Sequence, residues 1–301
     1  LSSDLPRNGN LLGLARRYPT DQALADHLQV PRTTLRDHIY RIGMREALNA
    51  VRERPEIIRA GEIPIIRRDY SGQDKHYVYP LGDLHIGAKR HNAEMWAEWI
   101  EYLEDREATS LLGTGDFLNV AIIGSKSDVY DEQMTVGDAK RLLRKQLEKL
   151  AHENRVDGLA PGNHEDRITR ATGDCPIFDV CDALGVPYVE SSALFVYTVG
   201  DMEYEIYLRH GTGLGQSIAS LSKSGMVIRA DVYVTGHIHK QAATVDDFFV
   251  RRGNVAVRER RHFVSSGSFL GYEKYAAVRG YSPGRLGAPR IFLDGRRHDV
   301  H

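Results

Sequence analysis

The 301-residue chain is poor in cysteine, in long apolar runs and in net charge, which is only −1. Its two cysteines, Cys175 and Cys181, lie outside any Cys-x-x-Cys spacing. The pair reads as reduced core thiols, with a structural disulfide as the second reading. No apolar run nears the roughly 20 residues that a membrane helix needs. The amino end, LSSDLPRNGN, lacks the charged-then-apolar pattern of a signal peptide, so a cytoplasmic protein is expected. There is no internal repeat and no low-complexity tract. What is present, 42% hydrophobic and 27% charged residues, is the composition of a globular chain with a real core. Its length suits two domains, or one large domain with an appendage.

The small net charge hides an asymmetry. Residues 1–45 hold seven Arg against four Asp, and residues 251–301 hold ten Arg and one Lys against two Glu and two Asp, so the middle carries about −11. An acidic middle between basic ends suits a metal-binding core flanked by surfaces for a polyanion.

Along the chain, residues 10–53 read as short helices. Thr20 is the expected N-cap of the first, whose apolar face is Leu24, Ala25 and Leu28. A break at Gln29-Val30-Pro31 precedes a second helix with Leu35 and Ile39 inward, ended by Gly43. Residues 51–64 read as a linker. Beyond it strands alternate with helices: KHYVYPLGD, a helix over 92–105 with Trp96, Trp99, Ile100 and Leu103 inward, SLLGTGDF, and a long helix over 133–153. VDGLAPGNHE, a helix over 176–184, a hairpin of SALFVYTVG with MEYEIYLRHG, a helix over 215–227 and ADVYVTGHIH follow. From 241 onward only strands and turns are expected. The order predicts an α/β core finished by β structure.

Five strand-like runs end in metal-ligating residue types: GDLHIG on Asp83 and His85, LLGTGD on Asp116, APGNH on Asn163 and His164, EIYLRH on His210, and VTGHIH on His237 and His239. Open α/β sheets bind ligands outside the carboxyl ends of their strands, so these ends can converge on one crevice. Five of the 13 histidines stand at such ends, and the other eight are expected to face solvent. Imidazole, carboxylate and amide oxygen without thiolate suit Mn, Fe, Zn or Co. So many ligands imply two ions about 3.5–4 Å apart, and hydrolysis of a phosphoester by in-line attack is the reaction that calls for such a pair.

The ordered series GDLHIG, GDFLN, GNHED, RHG and GHIH, over roughly residues 75–270, resembles the calcineurin-like metallophosphoesterase superfamily. The resemblance implies a four-layer αββα sandwich of two mixed sheets over 65–301. It implies one ion on Asp83, His85, Asp116 and His239, and a second on Asp116, Asn163, His210 and His237. Asp116 would bridge the two ions, and His164 would stabilise or protonate the leaving oxygen. Many relatives have Asp where this chain has Asn119, and that carboxylate often orients the catalytic histidine; the expected alternatives are the Asn119 amide, Asp166 in its place, or a leaving group that needs less acid assistance. The segment LADHLQVPRTTLRDHI resembles the helix-turn-helix of bacterial DNA-binding regulators, departing at Gln29, where the turn usually has Gly. It makes residues 1–50 a DNA-binding domain, with Arg32, Thr33, Arg36 and Tyr40 toward the groove or phosphates.

The expectation is a dinuclear phosphodiesterase acting on DNA, with manganese first among the metals and magnesium included. The basic stretch 251–261 would line the approach to its site. A homodimer, but no membrane, is among the expected partners. The alternatives are a phosphatase or cyclic-nucleotide phosphodiesterase on small substrates, the helices then serving docking or dimerisation, and a DNA-binding regulator with a vestigial metal site.

Overall fold

The computed structural model describes residues 21–41, 62–122, 125, 130, 132–211, 228–272 and 284–301. The chain divides into two compact units, Leu1–Glu62 and Ile63–His301. In the first, α1 (Asp21–His27) and α2 (Arg32–Arg41) pack together, with Leu24, Ala25, Leu35 and Ile39 fully buried. Between them Gln29 holds a φ of 54°, a left-handed conformation that a glycine adopts without steric cost. Thr20, Gly43 and the side chain of Tyr40 lie outside the described residues.

The second unit is built on ten strands among the described residues: β1 (Ile65–Tyr70), β2 (Lys75–Leu81), β3 (Thr109–Gly113), β4 (Val156–Leu159), β5 (Ser192–Val199), β6 (Met202–Arg209), β7 (Val232–Thr235), β8 (Gln241–Arg252), β9 (Val255–Ser266) and β10 (Ile291–Asp294). They form two mixed sheets, ordered β1-β5-β6-β7-β9-β8 and β10-β2-β3-β4. Val78, Leu112, Phe195, Ile206, Val232 and Val264 belong to one apolar core shared by both sheets. The helices α3 (Ala93–Glu104), α4 (Val136–His152) and α6 (Pro176–Leu184) pack with the four-stranded sheet in a second core through Trp96, Leu103, Leu143, Leu147, Ile177 and Val180. The fold is therefore α/β, a sandwich of two mixed sheets with helices. The helix expected over 215–227 falls outside the described residues. No helix among the described residues is long and apolar enough to cross a membrane.

Local chemistry explains why the helices begin and end where they do. Asn92 caps α3 by accepting from the Met95 N–H, and Thr135 caps α4 by accepting from the Asp138 N–H. Pro176 opens α6, and Gly185 closes it at a φ of 67°. The sequence reading misses two elements. β1 lies directly after the expected linker and exists because it pairs parallel with β5, more than a hundred residues away. α5 (Glu165–Thr172) is short and polar, and of its residues only Glu165 is buried.

Two further expectations are corrected. The stretch 251–261 does not line the site. β7 and β9 run parallel, so the site end of β9 is Ser266, and at about 3.3 Å per residue the β8–β9 turn lies roughly 35 Å along the strand from it. Nor do all eight remaining histidines face solvent. His38 is buried in the first unit, and His76 is fully buried between the sheets.

His76 belongs to a polar network centred on Asp157, which has no solvent exposure. The Asp157 carboxylate accepts from Arg68 Nε at 2.9 Å, Tyr70 OH at 2.6 Å, Ser110 Oγ at 2.5 Å and Tyr197 OH at 2.8 Å. His76 Nε2 meets Ser110 Oγ at 2.8 Å, and its ring stacks on Tyr70 with centroids 3.7 Å apart. Four donors to one carboxylate are what make a buried charge tolerable, and removing one partner of such a pair costs about 3–5 kcal/mol.

Burial pushes the His76 imidazole down to about 4, although the Asp157 charge opposes the shift. Between that value and the ordinary value of about 6.5, the unfolded chain binds a proton that the folded chain refuses. The stability held by neutral His76 is therefore fully present above the ordinary value and is lost as pH falls through the window. Urea titrations across this range are expected to show a shallower loss for His76→Gln than for the native chain; parallel slopes would sink the assignment.

Candidate metal centre

β2, β3 and β4 run parallel in one sheet, and β6 and β7 run parallel in the other. Just beyond their carboxyl ends, five stretches of chain meet at one edge of the sandwich. Asp83, His85, Asp116, His237 and His239 stand in these stretches with φ between 50° and 71°. Few non-glycine residues adopt that conformation, and strain of this kind clusters at functional sites. Hydrogen bonds between loops hold it: the Asp83 N–H donates to the Gly115 carbonyl at 2.8 Å and the His85 N–H to the Asp116 carbonyl at 3.0 Å. Others cross between the sheets. The Asp83 carboxylate accepts the His237 N–H at 2.9 Å, and His210 Nδ1 donates to the Thr114 carbonyl at 2.7 Å.

The structure brings the seven expected ligands together. Asp83, His85, Asp116 and His239 present donor atoms all within 4.8 Å of one another, and so do Asp116, His210 and His237. Asn163 joins the second group, its Oδ1 lying 3.2 Å from His210 Nε2. Asp116 is common to both groups. Each group could hold a metal ion.

The chemistry of the donor set fits a cation. Asp83 and Asp116 are buried, and their ion-pair partners are imidazoles: His239 Nε2 at 3.2 Å from Asp83 Oδ1, and His210 Nε2 at 3.2 Å from Asp116 Oδ2. His85 Nε2 faces His239 Nε2 at 3.1 Å, while His85 Nδ1 is buried without a hydrogen-bond partner. Two imidazole nitrogens that close, beside a buried carboxylate, are the arrangement a shared cation satisfies. Burial holds the His85 imidazole well below its ordinary value, with the neighbouring His164 and His239 acting the same way. Burial works against ionisation of Asp116, yet the adjoining His210 draws it well below the usual carboxylate range.

His164 opens α5, and its ring lies edge-on to His85 with centroids 4.3 Å apart. Its orientation corrects the sequence expectation. His164 Nδ1 lies 2.6 Å from the backbone carbonyl of Asn119, so it is the protonated nitrogen. The Asn119 amide instead donates to Glu132 at 2.8 Å, and Asp166 pairs with Arg170 at 3.5 Å. A main-chain oxygen, which any residue at 119 could offer, orients the ring in place of a side chain.

Three contributors escaped the sequence reading. Glu165 is fully buried and accepts N–H groups from Asp116 at 3.2 Å, Leu118 at 2.7 Å and Gly162 at 2.8 Å, tying together the loops that carry Asp116 and Asn163. Burial and then the Asp116 charge raise its carboxyl to about 7. Its one sequence signal was its place in GNHE, at the start of α5. Gly162 must be glycine, since a Cβ there would lie 2.1 Å from Asp116 Oδ1. Arg167 sits one turn after His164 and donates to the carbonyls of Asn119 and Val120 at 3.4 and 3.3 Å.

No protein-family model matches the chain, and no curated protein sequence does. Among solved structures the chain is similar to Vacuolar Protein Sorting 29 from Cryptosporidium parvum, at 16% identity over 75% of this chain and 95% of that one, with a TM-score of 0.37. A predicted phosphoesterase from Streptococcus pneumoniae aligns at 13% identity over 73% and 84%, with a TM-score of 0.34. Vps29 from Entamoeba histolytica complexed with zinc aligns at 14% identity over 75% and 96%, with a TM-score of 0.33. What the site can do chemically rests on this chain's own residues.

Because Asp116 stands in both donor groups, Asp116→Ala is expected to abolish binding of two ions, whereas His85→Ala weakens mainly one. Metal analysis of the purified chain checks this directly. One ion per chain in active native protein would overturn the shared role of Asp116.

Proposed function

We propose that Ile63–His301 is a dinuclear metal-dependent phosphodiesterase whose substrate is DNA, and that Leu1–Glu62 contributes DNA affinity. The observation that carries the catalytic part is the buried carboxylate of Asp116 shared between two donor groups. Two divalent ions, held by Asp83, His85, Asp116 and His239 and by Asp116, Asn163, His210 and His237, would supply Lewis acidity toward a phosphate and its attacking water. The donor set suits manganese first, with iron, zinc, cobalt or magnesium as alternatives.

The chain's own residues supply the rest. The Asn119 carbonyl fixes the His164 ring with Nδ1 as donor, which leaves Nε2 to deliver a proton or a hydrogen bond to the leaving oxygen. A carbonyl stabilises an imidazolium less than a carboxylate does, so a leaving group needing little protonation suits this site. Glu165 and Gly162 hold the loops at the separation the donors require. A second reading, a phosphatase on small monoesters, is favoured by Arg167, whose guanidinium beside His164 is chemistry that a doubly charged phosphate would recognise.

Assays with Mn²⁺ on single- and double-stranded DNA, beside mono- and diester reporters, separate the two readings; faster monoester hydrolysis favours the phosphatase. In the same assays His164→Ala is expected to keep its metals and lose about 10²–10⁴-fold in turnover. The loss shrinks on a diester with a good leaving group. An equal loss on good and poor leaving groups would remove the acid role.

For DNA affinity the support is the charge of residues 1–45 and the exposure of Arg32, Thr33 and Arg36 on α2. Every phosphate that a side chain no longer neutralises takes about 0.9 from the slope of log K against log salt. Arg32→Ala with Arg36→Ala in the full chain is therefore expected to flatten that slope by roughly 1.8 and to leave small-diester turnover unchanged. Coincident slopes would end the DNA-binding reading of α2.

A further inference from the structure

The ribbon made by β8 and β9 takes no part in the metal centre. β7 pairs with β9 only from His262 onward, so the seven pairs from Asp246–Arg261 to Arg252–Val255 extend past the six-stranded sheet. A two-stranded ribbon is marginal in water on its own. This one also carries four of the eight large apolar side chains exposed among the described residues: Val245, Phe249, Val255 and Val257, with Phe249 76% exposed. β8 is an edge strand of 12 residues without proline, which makes its outer edge a template for another strand.

The charge order of the strand selects the partner. Residues 246–252 read Asp-Asp-Phe-Phe-Val-Arg-Arg, acids at one end and bases at the other. Laid antiparallel on itself about Phe249, the segment sets Asp246 opposite Arg252, Asp247 opposite Arg251, Phe248 opposite Val250, and Phe249 opposite Phe249. Opposite charges and aromatic rings directly across a ladder are the favourable cross-strand pairs. Parallel pairing would stack aspartate on aspartate and arginine on arginine. A slip of two residues in either direction loses both charge pairs.

The backbone agrees with this register. The turn at Gly253 and Asn254 has two residues, so Arg252–Val255 is a hydrogen-bonded pair. Alternation along the ladder then turns the N–H and C=O groups of Arg251, Phe249 and Asp247 toward the free edge. A two-fold axis at Phe249 thus falls on a residue whose backbone faces outward. Within the chain Asp247 meets Arg258 and Arg260 only at 3.6 and 3.5 Å on an exposed face, leaving it able to accept from a further arginine.

We infer that a second copy of this chain docks here, β8 against β8, joining two six-stranded sheets through an isologous two-fold interface. Equilibrium sedimentation of the full chain at micromolar concentration is expected to give twice the 33.9 kDa chain mass. Two charge-reversed proteins test the register: Asp246→Arg with Asp247→Arg, and Arg251→Asp with Arg252→Asp. Each alone is expected to sediment as a single chain. Mixed in equal amounts they return to the doubled mass, because each now supplies the charge the other lacks. Phe249→Glu, a change at an exposed side chain with no core to disturb, is expected to give the single-chain mass with an unchanged thermal midpoint. A native protein that stays single at every concentration overturns the inference, including one whose ribbon binds DNA instead. So do reversed or Phe249→Glu proteins that keep the doubled mass, and a mixture of folded reversed proteins that stays single.

Discussion

The second unit depends on backbone strain at the ends of its strands. Five residues that are not glycine, Asp83, His85, Asp116, His237 and His239, are held in the left-handed region, where an L side chain costs about 1–2 kcal/mol. The five side chains gather where the strand ends of the two sheets meet. Strain of this size persists only where the surroundings over-determine it. Here hydrogen bonds between neighbouring loops do so, as do the three N–H groups that converge on Glu165. The same loops bury two carboxylates among imidazoles, an arrangement that a bound cation would complete.

The two sheets are fixed to each other by carboxylates at opposite ends of the strands. At the carboxyl ends, Asp83 of the four-stranded side accepts the His237 N–H of the other. Toward the far end, Asp157 on β4 accepts from Arg68 and Tyr70 on β1 and from Tyr197 on β5. Apolar packing between the sheets is strong but not directional. Hydrogen bonds at both ends set one sliding position and one rotation. Donor groups that must meet within a few ångströms need that precision, so the distant Asp157 network bears on the site although it takes no part in its chemistry.

The residues proposed for DNA affinity and those proposed for chemistry occupy separate parts of the chain. The proposed metal ligands all lie in Ile63–His301, and the exposed arginines of α2 lie in Leu1–Glu62. The β8–β9 ribbon points away from the metal centre, so its self-complementary charge pattern can govern assembly without touching the reacting groups.

The sequence by itself determined the alternation of strands and helices and the placing of eight Asp, Asn and His residues at five strand ends; the resemblance to a known family set His164 apart from the seven candidate ligands. Each strand end is a short stretch in which an apolar run meets a turn of Asp, Asn or His, and such stretches are read locally. Only the tertiary structure decided the rest. It paired β1 with β5, gave His164 a backbone carbonyl from Asn119 in place of a side-chain partner, and closed three N–H groups around Glu165. It buried His76 and carried the basic stretch 251–261 away from the site. In every one of these cases the deciding partner is a main-chain group or a residue distant in sequence. Main-chain donors and acceptors are the same at every position, so no pattern of side chains announces which of them will meet.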